Sequence, residues 1–299
     1  MVETAAPGKP THRVLLYGIA ILVAVALLVM GIVVPAVTGP DAGTLLGMAE
    51  VHLGMAEVTP LKDKSGRTMP FRAEQLAKAK EILEQVEEIA PGLGITREYR
   101  AYHAWIGGDM DEAARFYTEV LRMSGDDPAM RHKTLLNLAQ VELVRKQAAA
   151  ANAHLERIPT EERGLRWHLT SARIHDRQGR SEARSKALRA ARTKAGSNQK
   201  EIKSIADFAF ASGDEIALSC YETLQRKSPM DWYRIARLKM ANGYIDSAKD
   251  ALNHVREANP ALLGELIKKD REIWEAYGVQ GFSAESDKDA TGTRDKSGR

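Results

Sequence analysis

The sequence predicts an all-α chain, with one apolar N-terminal helix followed by a row of about six helical hairpins. Three observations carry that prediction. Alanine recurs at Ala79, Ala113, Ala151, Ala183, Ala217 and Ala248, at intervals of 34, 38, 32, 34 and 31 residues. A unit of that length cannot bury its apolar side alone and must stack on its neighbours. The composition is rich in alanine, leucine, arginine and glutamate and only 6% aromatic, which suits helices. Residues 14–37, finally, form an apolar run without one charge.

That run comes first in the chain. Its 24 residues make about 36 Å of helix, more than a hydrocarbon core of roughly 30 Å. A signal peptide has a shorter apolar stretch and a small-residue cleavage site, and the residues around Ala36, Val37 and Thr38 fit such a site poorly. The run therefore reads as an uncleaved transmembrane helix. Lys9 and Arg13 precede it, whereas Asp41, Glu50 and Glu57 follow it, with no Lys or Arg before Lys62. The positive-inside rule then puts residues 1–13 in the cytoplasm and the rest outside, in a periplasmic or extracellular space.

The hairpins occupy residues 42–260. The first is irregular: a helix over 44–58 containing LGMAEV twice, a loop over 59–70, and a second helix marked by Ala79, Leu83, Val86 and Pro91. The seven-residue repeat puts Leu46 and Leu53 on one face. The second hairpin carries Ala101, Gly108, Ala113, Tyr117 and Val120; the third Ala139, Ala151, Leu155 and Pro159. The fourth carries Ala172, Gly179, Ala183 and Ala187; the fifth Ala206, Gly213, Ala217, Tyr221, Leu224 and Pro229. In these two the turn is one residue short. The sixth is the clearest, with Trp232, Ile235, Ala236, Gly243, Ala248, Leu252, Val255 and Pro260. Small Ala236 and Ala248 let paired helices approach, Gly243 suits the turn, and Pro260 stops the helix.

Those residues of the sixth hairpin resemble the tetratricopeptide repeat, whose W-x₂-L-G positions correspond to Trp232, Ile235 and Ala236. The upstream copies are weaker but in phase. Leu262, Leu263, Leu266, Ile267, Ile273 and Trp274 predict a capping helix within 261–281, because a terminal repeat exposes a face no neighbour covers. Residues 282–299 are polar and predicted to be disordered.

The sequence holds no readable catalytic constellation: no GxSxG, no phosphate loop, no dinucleotide fingerprint and no HExxH. His168 and His175 share a helix face at i, i+7, but no acid pair completes a metal site. Asp126 and Asp127 read as the end of a helix. Cys220 is the one cysteine, so no intrachain disulfide and no Cys₂His₂ or Cys₄ zinc site is possible, and a buried thiol is expected. The expectation is a non-enzyme without metal or cofactor.

Charge is uneven. Residues 39–130 hold 10 Lys/Arg against 16 Asp/Glu, and residues 163–203 hold 12 against 3. The tetratricopeptide resemblance implies a groove lined by the first helix of each hairpin. It would receive Arg166, Leu169, Arg173 and Arg177, with Tyr102, Trp105, Tyr233, Arg237 and Met240 at equivalent places. Helical spacing independently puts Arg166, Arg173 and Arg177 on one face. Two readings stand side by side: a solvated arginine face, or a basic and aromatic trough for an acidic or C-terminal peptide. No chaperone-type lysine/asparagine carboxylate clamp is evident. Nucleic acid is disfavoured by the topology, and an anionic lipid or wall polymer would also suit the charge.

The expected function is a membrane-anchored scaffold or assembly factor that binds protein partners. The layout is similar to the ancillary subunit of the bacterial Sec translocon, which implies a role in envelope protein biogenesis. A membrane-bound regulator or sensor, and an accessory subunit of a cell-envelope enzyme, are the alternatives.

Overall fold

Six antiparallel helical hairpins and one closing helix make up a computed structural model that describes residues 40–60, 69–125, 127–271 and 274. The chain divides into unit 1, Met1–Ile158, and unit 2, Pro159–Arg299. Unit 1 contains α1 (Ala42–Val58), α2 (Pro70–Ile89), α3 (Gly94–Gly107), α4 (Met110–Met123), α5 (Pro128–Val144) and α6 (Ala148–Glu156). Unit 2 opens with a 3₁₀ turn, Thr160–Glu162. It continues with α7 (Leu165–Arg177), α8 (Ser181–Ala195), α9 (Gln199–Ala211), α10 (Ile216–Glu222), α11 (Pro229–Ala241), α12 (Ile245–Ala258) and α13 (Pro260–Lys269). Helices pair in chain order, α1 with α2 through α11 with α12, and each hairpin packs on the next within its unit.

Helix starts follow local chemistry. Asp41, Asp109 and Asp127 each accept a hydrogen bond from the backbone N–H three residues on, at 2.7, 2.9 and 3.0 Å. Such caps satisfy amides that have no partner within the helix. Asp127 thus opens α5 and does not end a helix; Asp126 lies outside the described residues. Ser228 and Asp231 form a reciprocal capping box at α11, and proline occupies the first turn of α2, α5, α11 and α13.

Five hairpins share one turn. Gly108, Lys146, Gly179, Gly213 and Gly243 take positive φ, from 64° at Lys146 to 89° at Gly108. The N–H of the next residue then returns to the carbonyl five residues back. These bonds run Asp109 to Ala104, Gln147 to Glu142, Arg180 to His175, Asp214 to Ala209 and Tyr244 to Lys239, all at 2.8–2.9 Å. This ending consumes orphan carbonyls and reverses the chain in a fixed geometry. Lys146 is the only non-glycine with positive φ among the described residues.

The fixed turn dictates which small residues meet. Seven residues before the turn stand Ala101, Ala139, Ala172, Ala206 and Ala236, all 0% exposed. On the second helices, Ala79, Ala113, Ala151, Ala217 and Ala248 are equally buried, so the alanine ruler marks real helix contacts in five hairpins. The fourth departs from it. Ala183 is only half-buried, and the fifth residue after Gly179, matching Ala113 after Gly108 and Ala248 after Gly243, is Arg184. Its N–H bonds the Arg180 carbonyl at 3.0 Å, as those of Ala113 and Ala248 bond Asp109 and Tyr244.

In unit 1, Leu45 and Ala49 pack with Ile82, Leu83 and Val86, while Leu53 and Ala56 pack with Ala79 and Ile106. The buried stripe of α1 therefore runs through Leu45 and Leu53. Leu46, which the seven-residue repeat sets on one face with Leu53, is only partly buried, while Leu45 takes the buried position. Arg72 closes the opposite end, donating to the carbonyls of Ala56 (2.7 Å), Thr59 (2.6 Å) and Ile106 (2.6 Å). One guanidinium thus satisfies carbonyls at the C-terminal ends of both α1 and α3.

Trp274 closes the core of unit 2 at 1% exposure and donates from Nε1 to the Tyr233 hydroxyl at 3.2 Å. Among the described residues no helix is long and apolar enough to cross a membrane. The expected span over 14–37, the N-terminal stretch 1–13, most of the loop over 59–70 and the tail over 282–299 lie outside the described residues.

Candidate binding surfaces

The first helices of unit 2 lie side by side, stitched by contacts between chemically unlike groups. The Arg173 guanidinium of α7 sits 5.8 Å from the Phe208 ring centroid of α9. From α9 to α11, Lys203 pairs with Asp231 at 2.6 Å and Asp207 with Arg234 at 2.5 Å. Arg237 lies 5.5 Å from the Phe210 ring centroid. Buried Ala172 and Ile174 fix the rotation of α7, and Arg166, Arg173 and Arg177 emerge on its exposed side.

The acids of this surface are already engaged. Asp207 accepts from the Tyr221 hydroxyl (2.7 Å) and from Lys203 and Arg234. Burial, with the Asp207 hydrogen bond added, pushes the Tyr221 hydroxyl well above the usual phenol range. Asp270, next after α13, accepts from Tyr233 at 2.7 Å and pairs with Arg237 at 3.1 Å.

Three expected groove residues therefore behave differently. Tyr233 is 3% exposed, with its hydroxyl spent on Asp270, Leu266 and Trp274, because α13 covers that side of α11. It packs the core and is not a ligand contact. Arg237 is half-buried and held by Asp270 and Phe210. Met240, at 0% exposure, is core as well.

Tyr102 and Trp105 belong to unit 1. There the Tyr102 hydroxyl donates to Glu57 at 2.5 Å and Tyr99 to Glu50 at 2.9 Å. Trp105 meets Tyr117 edge-on at 6.3 Å. Burial first, then the Glu50 bond, pushes Tyr99 up to about 12, and Tyr102 shifts the same way. This face is acidic and tyrosine-rich. Its carboxylates were legible in the repeated LGMAEV, which sets Glu50 and Glu57 seven residues apart on one helix face. The Phe208, Phe210 and Asp207 contributions carried no comparable signal.

Two depressions among the described residues gather no reactive set. An open hollow of about 710 Å³ overlies the α3–α4 turn, where Asp111 and Arg145 pair at 2.8 Å. A cleft of about 130 Å³ borders His103 and Arg100. Burial lowers the His103 pKa, partly offset by its contact with the Leu76 carbonyl. Among the described residues no group of three or more His, Cys, Asp or Glu is placed to hold a metal ion. Cys220 is buried, and that burial raises its thiol pKa.

No family model matches the chain, and no curated relative matches it. Among solved structures it is similar to a tetratricopeptide repeat protein from Parabacteroides merdae. The TM-score is 0.52 at 14% identity, over 86% of this chain and 94% of that one. The likeness concerns the fold: an all-α architecture of repeated helical hairpins.

Proposed function

We propose that the chain is a non-catalytic, membrane-anchored scaffold that captures acidic protein segments on the first-helix face of unit 2. The observation that carries this reading is the exposed row Arg166, Arg173 and Arg177 on α7, in a stretch where 12 basic residues face 3 acidic ones. Asp207, on the neighbouring α9, is held by its own cations, Lys203 and Arg234. An incoming carboxylate therefore meets a surplus of basic side chains, and Arg recognises carboxylates through paired hydrogen bonds. The tetratricopeptide-like hairpin fold supports a protein partner over a small substrate, and the neighbouring Phe208 adds an apolar contact.

The anchor is proposed from residues 14–37 and the orientation from Lys9 and Arg13. On that topology both units stand outside the cytoplasm, where the scaffold serves assembly of envelope proteins. The test is affinity capture of the full chain from membranes, comparing the natural sequence with the triple change Arg166→Ser, Arg173→Ser, Arg177→Ser. The expected result is loss of co-purifying protein with unchanged helical circular dichroism. Equal recovery from both would remove the arginine face from the function.

A further inference from the structure

Unit 1 carries an apolar end that nothing in the described structure covers. The connection from α2 to α3 and its flanks read IAPGLGI over 89–95, without a polar side chain. Ile89 is 56% exposed, and Pro91, Leu93 and Ile95 are exposed too. Met123, 46% exposed at the end of α4, adjoins them, since a Cβ placed on Gly94 would lie 3.8 Å from its Cε. Connections ordinarily run through water and are polar. Others between successive hairpins follow that rule: the α4–α5 connection holds Ser124 and Asp127, the α6–α7 connection Arg157, Glu161, Glu162 and Arg163, and the α10–α11 connection Arg226 and Lys227.

This end is also where the chain enters the fold. Leu45, in the first turn of α1, packs with Ile82, Leu83 and Val86 near the end of α2. Only residues 38–41 separate the apolar run 14–37 from α1. Four residues span at most about 14 Å even when fully extended. The headgroup layer of a bilayer is itself roughly 5–8 Å deep on each side. A membrane-embedded run therefore brings this end of unit 1 to the bilayer surface. The charge nearby is largely balanced: Arg97 holds Glu87 at 3.0 Å and Glu119 at 3.6 Å. Glu88, exposed beside Ile89, stays in headgroup water at such a depth.

We propose that the apolar end formed by Ile89, Leu93, Ile95 and Met123 rests in the interfacial layer of the lipid bilayer. It gives unit 1 a second, non-spanning membrane contact. The contact fixes the orientation of unit 1 on the membrane, because a tether alone leaves a domain free to tumble. Apolar side chains at that depth gain from burial among acyl chains. The inference rests on reading residues 14–37 as an anchor.

The test uses the full chain reconstituted into phosphatidylcholine vesicles. An environment-sensitive fluorophore is placed on Ile95→Cys, on Met123→Cys and, as the control at the far end of unit 1, on Gln147→Cys. Labelling of the unsubstituted chain measures any contribution from buried Cys220. The expected result is retention after alkaline carbonate washing, with several-fold stronger quenching by shallow spin-labelled lipid at 95 and 123 than at 147. Retention with equal, water-like emission at all three sites overturns the interfacial contact and leaves the anchor standing. Retention with shielding at 95 and 123 but no lipid quenching overturns it in favour of a protein neighbour, such as a second copy. Release by carbonate overturns the anchor and the inference with it.

Discussion

Arg184 reaches Asp214 across the boundary between α8 and the α9–α10 turn, Nε to Oδ2 at 3.5 Å, from a position where the second and sixth hairpins carry alanine. Asp214 is 3% exposed. It also accepts from the Ser185 hydroxyl and from the Ile216 N–H at 3.2 Å, while Arg184 pairs with Asp176 at 3.0 Å. One hairpin thus joins its neighbour through ions where others use close alanine contact. Removing one buried partner strands the other, so Arg184→Ala should cost about 3 kcal/mol in urea unfolding. Adding Asp214→Asn to it should cost less than the sum of the two single changes. Strict additivity would mean the pair does not couple.

Lys146 holds a left-handed turn that four other hairpins give to glycine. A side chain there costs roughly 1–2 kcal/mol, partly offset by its smaller entropy in the unfolded chain. Lys146→Gly should therefore stabilise the protein by about 0.5–1 kcal/mol, read as a higher unfolding midpoint. Gly213→Ala should do the reverse.

Arg72→Met should destabilise unit 1 by about 2–4 kcal/mol, because charge-assisted bonds to three carbonyls are lost together. Arg72→Lys should recover only part of that, since an ammonium lacks the planar fork. Full rescue by lysine would show that charge alone matters at this site.

Asp231 supplies a pH dependence. Burial pushes its carboxyl up, but bonds from Lys203 and Ser228 outweigh burial and leave the pKa below the ordinary 3.8. A depressed carboxylate stabilises the fold fully above the unfolded value and loses that contribution as pH falls through the folded one. Asp231→Asn should thus cost about 1–3 kcal/mol at pH 7, with the gap to the natural chain closing below about pH 4. A gap constant with pH in denaturant titrations would remove the carboxylate from the account.

Much of the fold was legible because the alanines and turn glycines impose spacing. The fourth hairpin was misplaced because its register follows Gly179, not Ala183. The better signal was the offset of five residues from Gly108 to Ala113 and from Gly243 to Ala248. The third turn was invisible because Lys146 stands where glycine marks the others. The α7 arginines were readable from helical spacing alone. Tyr233 was not, since its burial depends on α13 and Asp270 arriving from more than thirty residues further along the chain.

The most direct measurement of the central claim is fluorescence anisotropy of a labelled glutamate-rich peptide titrated with the detergent-solubilised full chain. Binding should weaken at least tenfold in the Arg166→Ser, Arg173→Ser, Arg177→Ser variant, and should fall steeply with added salt. Binding of equal strength in both proteins, or indifferent to salt, would contradict the claim that the α7 face reads acidic partners.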